Sequence, residues 1–360
     1  MITNYLVENL EIPFRVAFKH HSATRSVSQT ILVRLVGDDW DGWGESCPRA
    51  YVSGESCKSA TQQIHTWLKQ GIPFFDLASW NAFCQAHRAS IENNPAAFCA
   101  LELAFFDGYS KRLQSPVSTI LGWKSLTNTF KFTAVLGDSS LATFQSLAKA
   151  HLDWGFTSFK VKISGNQDAD FEKLRWLIDQ NSKLSIRLDA NNGFSSVEKV
   201  VDYLGRIPIR IEALEEPLES KSPDDLMQLI QRIDQAVILD EMVIHEQDLD
   251  IYSSVSSQIW INLRVSKMGG LQSTYRILKK AEKLGYGIVV GSQVGETSLL
   301  GHAGLLIAQQ VEKLIGLEGG YSDLFLQQEP FVPQVKFDSH GEFHGENLAR
   351  TIGLGNRIRF

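Results

Sequence analysis

Residues 185–189, Ser-Ile-Arg-Leu-Asp, form a short apolar run that ends in an acidic residue. The same pattern returns at residues 211–215, Ile-Glu-Ala-Leu-Glu, and at residues 236–240, Ala-Val-Ile-Leu-Asp. Short apolar runs that alternate with longer amphipathic stretches are typical of parallel β-strands joined by helices. This part of the chain therefore predicts a series of βαβ units.

The same alternation extends in both directions, from about residue 130 to about residue 318. Eight βα units are the number that closes a TIM-type barrel, which takes about 250 residues. We therefore predict an α/β fold built on a modified (β/α)8 TIM-type barrel. The eight strand candidates are Phe130–Val135, Ser158–Ile163, Ser185–Asp189, Ile211–Glu215, Ala236–Asp240, Gln258–Leu263, Gly287–Gly291 and Leu314–Glu318.

The region before the barrel has a different order of elements. Thr30–Val36 is rich in β-branched and aliphatic residues, and Trp40–Glu45 follows a turn as the returning strand of a hairpin. Apolar residues at helical spacing come next. Strands followed by helices are typical of an α+β unit, which we expect to cap the barrel together with the C-terminal tail. The expected boundaries are residues 1–125 for the capping domain, 126–325 for the barrel with the metal and catalytic site, and 326–360 for a C-terminal return that packs on the capping domain.

Composition and charge exclude several classes of protein. The 360 residues carry a net charge of −6, and Lys and Arg are scattered, so we expect no nucleic-acid partner. The sequence lacks both a long apolar run and a signal-peptide pattern, so we expect no membrane span and a cytoplasmic location. The four cysteines lack the spacing of a zinc site and are expected to be reduced. The oligomeric state stays open, with a homo-oligomer as one option.

Three acidic residues, Asp189, Glu215 and Asp240, end consecutive predicted strands. Because active sites of such barrels lie at the carboxyl ends of the strands, the three carboxylates are expected to converge there. They would repel one another unless a cation lies between them, and Mg²⁺ prefers such oxygen ligands. The alternative is that each carboxylate only caps the helix that follows it.

Two lysines, Lys160 and Lys162, alternate with apolar residues on the preceding strand and so face the same side of it. Inside a barrel, their mutual repulsion and a nearby dication would lower the pKa of one amine, which could then act as a general base. One alternative is an edge strand with two solvent-facing lysines. Another is an aldolase in which one of the lysines forms a Schiff base.

Taken in chain order, these residues resemble the enolase superfamily and, within it, the muconate-lactonizing subgroup, whose members include muconate cycloisomerases, o-succinylbenzoate synthases and dipeptide epimerases. Gly42–Glu45 and Pro48–Glu55 also look like the family's capping domain and its substrate-covering loop. The elements that carry the resemblance are Lys160-Val161-Lys162, Asp189-Ala190-Asn191, Glu215-Glu216-Pro217 and Asp240-Glu241.

The resemblance implies a Mg²⁺ held by Asp189, Glu215 and Asp240, which would bind the carboxylate of a small substrate and stabilise the enediolate formed on loss of its α proton. It also implies that Lys162 is the base and Lys160 the neighbour that lowers its pKa. The residues implied to support the metal ligands are Asn191 and Glu241.

The sequence departs from the subgroup on the sixth strand. A second lysine usually stands there, whereas this chain has Arg264, which keeps its charge and is a poor proton acceptor. Lys267 lies three residues further on and would face away from Arg264 if the strand continued. On the eighth strand, an Asp-x-Asp that dipeptide epimerases use for the substrate ammonium is replaced by Glu318-Gly319-Gly320, where Glu318 could partly substitute.

With Arg264 on one face of the substrate, one-base chemistry at Lys162 becomes the preferred interpretation, as a lyase or a cycloisomerase. The alternative is a racemase or epimerase of an amino-acid derivative or dipeptide. A further alternative is a barrel that has lost catalysis and serves as a binding protein.

Substrate contacts are expected from three places. Some of the candidate residues lie in loops that are expected to cover the substrate, and the others lie at the ends of strands six, seven and eight. For each candidate, a purely structural role is the alternative. The candidates are His20, His21, Arg25, Arg49, Tyr51, Lys267, Gln293, Glu296 and Glu318.

Overall fold

The computed structural model describes the backbone of residues 2–20, 23–71 and 76–357, and the side chains of these residues except 16–20 and 23–25. None of the helices in the described part of the chain has the length and the apolar character needed to cross a membrane.

The N-terminal region is an α+β unit, as the sequence predicts. Its antiparallel sheet has the strand order β1-β4-β5, and β2 pairs with β3. The strands are β1 (Ile2–Leu10), β2 (Pro13–His20), β3 (Ala23–Val27), β4 (Thr30–Gly37) and β5 (Asp41–Ser46), and the helices are α1 (Ala50–Ser53), α2 (Cys57–Lys69), α3 (Leu77–Ala86), α4 (Arg88–Glu92), α5 (Pro95–Leu113) and α6 (Val117–Ile120).

Helix α5 is buried along most of its length and packs closely on β5. Two glycines allow this approach, because a Cβ at Gly42 would lie 2.0 Å from the carbonyl oxygen of Ala104, and one at Gly44 would lie 2.0 Å from that of Ala100. The capping unit therefore depends on missing side chains at these two strand positions.

The barrel is an eight-stranded parallel sheet in which each strand pairs with the next one in chain order, from β7 (Ala134–Leu136) to β14 (Leu314–Leu317). A backbone hydrogen bond of 2.7 Å from Thr133 to the carbonyl of Leu317 links the first and last strands. The strands are β7 (Ala134–Leu136), β8 (Ser158–Lys162), β9 (Ser185–Asp189), β10 (Ala213–Glu215), β11 (Ala236–Leu239), β12 (Ile259–Leu263), β13 (Gly287–Val290) and β14 (Leu314–Leu317). The helices are α7 (Leu141–Asp153), α8 (Gln167–Gln180), α9 (Val197–Arg206), α10 (Pro223–Ile230), α11 (Asp248–Ile251), α12 (Leu271–Leu284), α13 (Ser298–Gln310) and α14 (Ser322–Phe325).

Helix α9 shows how the local sequence forms the outer layer. Val197, Val200 and Leu204 lie at helical spacing and are buried against the sheet, while the Ser196 side chain accepts a hydrogen bond from the backbone of Lys199 at the helix start. The apolar face is covered and the first turn is capped, which is how an amphipathic segment becomes a barrel helix.

The first predicted strand is divided into two in the structure. β6 (Thr129–Lys131) pairs antiparallel with β16 (Glu342–His344), and only Ala134–Leu136 joins the barrel. The division occurs because Phe132 donates its N–H to the carbonyl of Gly341, while Thr133 donates to the opposite edge of the barrel. The prediction of one continuous strand over Phe130–Val135 was therefore wrong.

The C-terminal residues return to the N-terminal region. β15 (Phe331–Val332) pairs with β17 (Asn356–Arg357), and the backbone N–H of Leu354 donates to the Asp107 carboxylate on α5. Arg357 forms an ion pair with Glu8 on β1. The domain boundaries at residues 125 and 325 remain a proposal.

Candidate active site

Strand register brings the predicted site residues to one edge of the barrel. Lys162 pairs with Asp189, and Asp189 pairs with Glu215. Glu215 pairs with Ile238, so Asp240 follows one residue after the end of β11 on the next strand. All four side chains line the same pocket at the carboxyl ends of the strands.

Lys160 is held by carboxylates on three sides. Its Nζ lies 3.1 Å from Oε2 of Glu215, 2.5 Å from Oε2 of Glu318 and 3.9 Å from Oδ2 of Asp189. Burial alone would lower the pKa of Lys160, but these carboxylates outweigh burial and raise it above its ordinary value. Lys160 is therefore a lasting positive charge inside the barrel mouth.

Lys162 lies beside it at the surface of the pocket. Its Nζ donates to Oδ2 of Asp189 at 2.6 Å and to Oδ1 of Asn191 at 2.9 Å. Burial opposes ionisation of Asp189, but Lys162 and Lys160 outweigh it and lower the pKa of this carboxyl to about 2. Both lysines thus contact the same carboxylate oxygen, which places two amines close together.

Glu215 has less positive charge around it than its neighbours have. Burial raises its pKa to about 7, against the opposite effect of Lys160, and the carboxylates of Asp189, Glu318 and Asp240 raise it further. Asn262 donates from Nδ2 to Oε1 of Glu215 at 3.1 Å. Burial and the neighbouring carboxylates therefore disfavour the ionised form of Glu215.

Asp240 is bound by the two cations of the sixth-strand segment. Arg264 Nη2 donates to its Oδ2, and Lys267 Nζ lies 3.0 Å from its Oδ1 and 2.5 Å from its carbonyl oxygen. Burial would raise the pKa of Asp240, but Arg264 and Lys267 lower it below its ordinary value. Because β12 ends at Leu263 and a turn follows, Lys267 folds back to Asp240 instead of facing away.

Several residues of the site were not among the predicted ones. Glu216 has a positive φ of 40° and accepts hydrogen bonds from the backbone of Asp240 at 2.7 Å and of Met242 at 3.2 Å, which orients the loop after β11. Burial is the main reason why its pKa is raised. Arg187, also missed, is inside the barrel and donates to Oγ1 of Thr133 at 2.8 Å. The sequence could have indicated this position, because Arg187 is two residues before Asp189 on β9 and both side chains therefore face the same side of the strand.

Glu318 does not present a free carboxylate to the pocket. Oε2 binds Lys160, and Oε1 lies 3.4 Å from Nη2 of Arg187. A Cβ at Gly316 would lie 2.6 Å from Nη1 of Arg187, so the glycine makes room for the guanidinium. The two oxygens of Glu318 are therefore directed to protein cations, away from the position expected for a substrate ammonium.

The remaining candidates divide into three groups. Gln293, Glu296 and Tyr51 line the pocket. Arg49 is buried and donates from its guanidinium to the carbonyls of Gln29, Pro48 and Val294, so it joins the capping loop to the loop after β13. The candidates that lie outside the described side chains are His20, His21 and Arg25. Glu241 lines the pocket next to Asp240, and burial raises its pKa.

Comparison with protein families matches residues 143–359, more than half of the chain, to the model described as enolase C-terminal domain-like. The chain belongs to this family. Among its relatives, the L-Ala-D/L-Glu epimerase of Bacillus subtilis is 26% identical over 296 residues, which cover 81% of this chain and 80% of the relative. The N-succinyl-L-Arg/Lys racemase of Bacillus cereus is 23% identical over 302 residues, 83% and 81% of the two chains. The resemblance to the enolase superfamily is confirmed.

Solved structures of the family confirm the barrel with its cap. The substrate-liganded L-Ala-D/L-Glu epimerase from Bacillus subtilis matches with a TM-score of 0.84 and 23% identity, over 94% of this chain and 95% of that one. The dipeptide epimerase from Enterococcus faecalis, complexed with Mg and L-Leu-L-Tyr, matches with a TM-score of 0.84 and 19% identity, over 98% and 99%. These likenesses concern the fold.

The donor set has the chemistry that a magnesium ion requires. In the described part of the chain, no three His, Cys, Asp or Glu side chains are arranged as a ready metal site, and protein cations contact the three carboxylates. Those cations are shared: Lys160 lies near Asp189 and Glu215, while Arg264 contacts Asp240 and lies 3.7 Å from Glu215. Three carboxylates on adjacent strands, which share protein cations in pairs, are a set of oxygen ligands that fits a dication.

Proposed function

We propose that the chain racemises or epimerises an amino-acid derivative or a dipeptide by removing the proton α to its carboxylate. The observation that carries the proposal is the pairing of the Lys162 amine with Asp189, 2.6 Å apart, in a pocket lined by two further strand-end carboxylates. The epimerases and racemases among the relatives support this alternative better than the lyase or cycloisomerase interpretation, which the sequence alone favours.

Asp189, Glu215 and Asp240 would hold Mg²⁺, which would neutralise the charge that develops on the substrate carboxylate as the α proton leaves. Enzymes of the superfamily use this ion, and one structural neighbour was solved with Mg. The relative positions of the three carboxylates are set by the register of β9, β10 and β11, before any ion binds.

Lys162 is the base in this proposal, and in its neutral form the amine accepts the α proton. Lys160 stays charged between Glu215 and Glu318, so it adds a positive charge beside Lys162, where the anionic substrate would bind. Asn191 accepts a hydrogen bond from Lys162 and thereby orients Nζ at the pocket surface.

One-base chemistry is the second candidate, because Arg264 follows β12, which lies across the barrel from β8 and Lys162. A guanidinium stabilises a developing anion but does not readily accept a proton. If the reaction used Lys162 alone, elimination or cycloisomerisation would follow proton loss on the same face.

The proposal is tested by incubating the enzyme and Mg²⁺ in D₂O with a panel of dipeptides, N-succinylamino acids, acid sugars and hydroxyprolines. Proton NMR measures α-proton exchange, and chiral chromatography measures inversion. We expect exchange together with inversion for an amino-acid derivative. Formation of an unsaturated or cyclised product without inversion would establish the one-base alternative, and a panel without any exchange would refute proton abstraction on these substrate classes.

A further inference from the structure

Inversion at the α carbon requires a proton-transfer group on each face of the substrate. Lys162 lies on β8, and in the eight-stranded order the strand four positions away is β12, on the opposite wall. Arg264 follows β12, and its guanidinium is a charged group that neither accepts nor readily gives up a proton at neutral pH. The opposite wall therefore needs another group.

Lys267 cannot supply it. Its Nζ donates to the Asp240 carbonyl, the Asp240 carboxylate and the carbonyl of Asn262, at 2.5, 3.0 and 2.9 Å. The side chain is 0% exposed and does not line the pocket. An ammonium whose three protons are all engaged with the protein has no contact with a substrate.

Glu296 lies on the same wall, in the loop between β13 and α13. Arg264 Nη1 donates to Oε1 of Gln293 at 3.1 Å, and the backbone N–H of Gln293 donates to Oε1 of Glu296 at 2.7 Å. Glu296 is partly accessible and lines the pocket. Its Oε2 has no hydrogen-bond or ion-pair partner among the described residues, so one oxygen remains free to face a substrate.

The charges around Glu296 come from both domains. Burial raises its pKa to about 7, and the backbone N–H of Gln293 and the cations of Arg264 and Arg49 act in the opposite direction. The buried carboxyl of Glu45, on β5, adds a neighbouring acidic group. Near neutral pH, the Glu296 carboxyl therefore occurs in both its protonated and its ionised form, as a group that gives and accepts protons must.

Two of the other pocket acids are engaged, and Glu241 follows the expected metal ligand Asp240 after β11. Glu216 accepts two backbone hydrogen bonds from the loop after β11, and Glu318 binds Lys160. The Tyr321 hydroxyl donates to the carbonyl of Thr133 at 2.8 Å. In the loop after β13, Glu296 is the pocket acid whose Oε1 is oriented by Gln293 while Oε2 has no described partner.

We propose that Glu296 is the second proton-transfer residue of this enzyme, acting on the face opposite Lys162. In one direction, the Lys162 amine takes the α proton and the C–H electrons pass to the substrate carboxylate. The Glu296 carboxyl then donates its proton to the opposite face of the α carbon, leaving Lys162 protonated and Glu296 ionised. The reverse reaction exchanges the two roles. This inference rests on the proposed function and names the group that makes inversion compatible with Arg264.

The test compares the wild-type enzyme with Glu296→Gln, whose amide oxygen can still accept the hydrogen bond from Gln293. Both are incubated with Mg²⁺ in D₂O with the dipeptides and N-succinylamino acids, as separate stereoisomers. In the variant, we expect the stereoisomer whose α proton faces Lys162 to exchange that proton with retention of configuration. The rate of inversion should fall about 100-fold or more. The control variant Glu312→Gln, at an exposed site, should keep both activities.

A second variant tests the assignment by rescue. In Arg264→Lys/Glu296→Gln, the far wall gains an amine, which can release and accept a proton as a guanidinium cannot, and inversion should return in part. Inversion at the wild-type rate in Glu296→Gln, or equal loss of exchange and inversion with the fold intact, would overturn the inference. A wild-type enzyme that does not invert any panel member, with or without exchange, would refute the proposed function itself, whereas a wild-type enzyme that inverts together with a Glu296→Gln variant that inverts equally well would refute only the role of Glu296.

Discussion

Lys267 Nζ lies 3.0 Å from Oδ1 and 2.5 Å from the carbonyl oxygen of Asp240, with both side chains almost completely buried. The lysine thereby fixes both the backbone and the carboxylate of one expected metal ligand. Removing one partner of a buried ion pair leaves the other charge uncompensated.

Lys267→Met is therefore expected to lower the free energy of unfolding by about 3 kcal/mol, measured by urea denaturation. The matched control is Lys280→Met, which removes a surface partner of Asp250 and should cost less than about 1 kcal/mol. Equal effects of the two substitutions would contradict the assignment of Lys267 as a buried structural cation.

Lys162→Ala should remove α-proton exchange on the face that this base serves. We expect the exchange rate in D₂O to fall by about a thousandfold, the usual range for loss of a general base. Lys183→Ala, at an exposed site before β9, is the control and should exchange normally. Exchange that survives in Lys162→Ala on both stereoisomers would place the base elsewhere.

Mg²⁺ should stabilise the folded chain through Asp189, Glu215 and Asp240. At a hundredfold excess over its dissociation constant, a ligand that binds only the folded state adds about 2.7 kcal/mol. We expect a rise in melting temperature with Mg²⁺ that EDTA reverses and that Glu215→Gln greatly weakens. The control Glu198→Gln alters an exposed pair with Arg232 and should retain the full response. A Glu215→Gln response equal to the wild type would exclude Glu215 as a ligand.

Because His302 on α13 is buried, we expect the free energy of unfolding to depend on pH. Burial lowers its pKa from 6.5 to about 4, and its Nδ1 lies 3.0 Å from the carbonyl of Leu354. The unfolded chain takes up this proton near pH 6.5 and the folded chain only near pH 4, so stability falls as the pH drops through that window. Between pH 7 and pH 5, the loss from this group is about 2 kcal/mol.

Urea denaturation of His302→Gln should show a correspondingly weaker dependence on pH over that range. The control His340→Gln changes a side chain that is 77% exposed and should leave the dependence as it is. Identical pH dependence in wild type and His302→Gln would show that His302 is not the group responsible.

At Gly270, before the start of α12, the barrel packs closely against α5 of the capping domain. Its φ is +93°, and an added Cβ would lie 2.0 Å from Oε2 of Glu102 on α5. Gly165 is a matched control, because its φ is +81° and nothing lies within 4 Å of its Cβ position. We expect Gly165→Ala to cost about 1 kcal/mol from backbone strain alone and Gly270→Ala about 3 kcal/mol, measured by urea denaturation. Similar losses of unfolding free energy in the two variants would show that the Glu102 side chain moves aside easily.

Much of the barrel could be predicted because its strands are short apolar runs with a regular spacing. The strand-end positions of Asp189 and Glu215 followed from the same pattern, since register in a parallel sheet keeps equivalent strand ends at one edge. The break at Phe132 could not be predicted, because it depends on hydrogen bonds to Gly341 and Leu317, which are far away in the chain.

Side-chain partners were harder to predict than positions. Glu318 was considered as a partial substitute for the Asp-x-Asp, and in the structure Lys160 and Arg187 bind it from two other strands. Lys267 was expected to face away from Arg264, but the turn after β12 brings both cations to Asp240. Both outcomes depend on which charges become neighbours after the barrel closes.

By itself, the amino-acid sequence determined the order of strands and helices, the α+β region before them and the chemical types at each strand end. These features depend on residues that are close in the chain, whose spacing sets which faces are apolar. Only the tertiary structure decided which cation neutralises which carboxylate, and that Glu296 accepts the N–H of Gln293 at the pocket wall. Such pairings depend on distances of a few ångströms between residues that are far apart in the chain, and no local pattern specifies them.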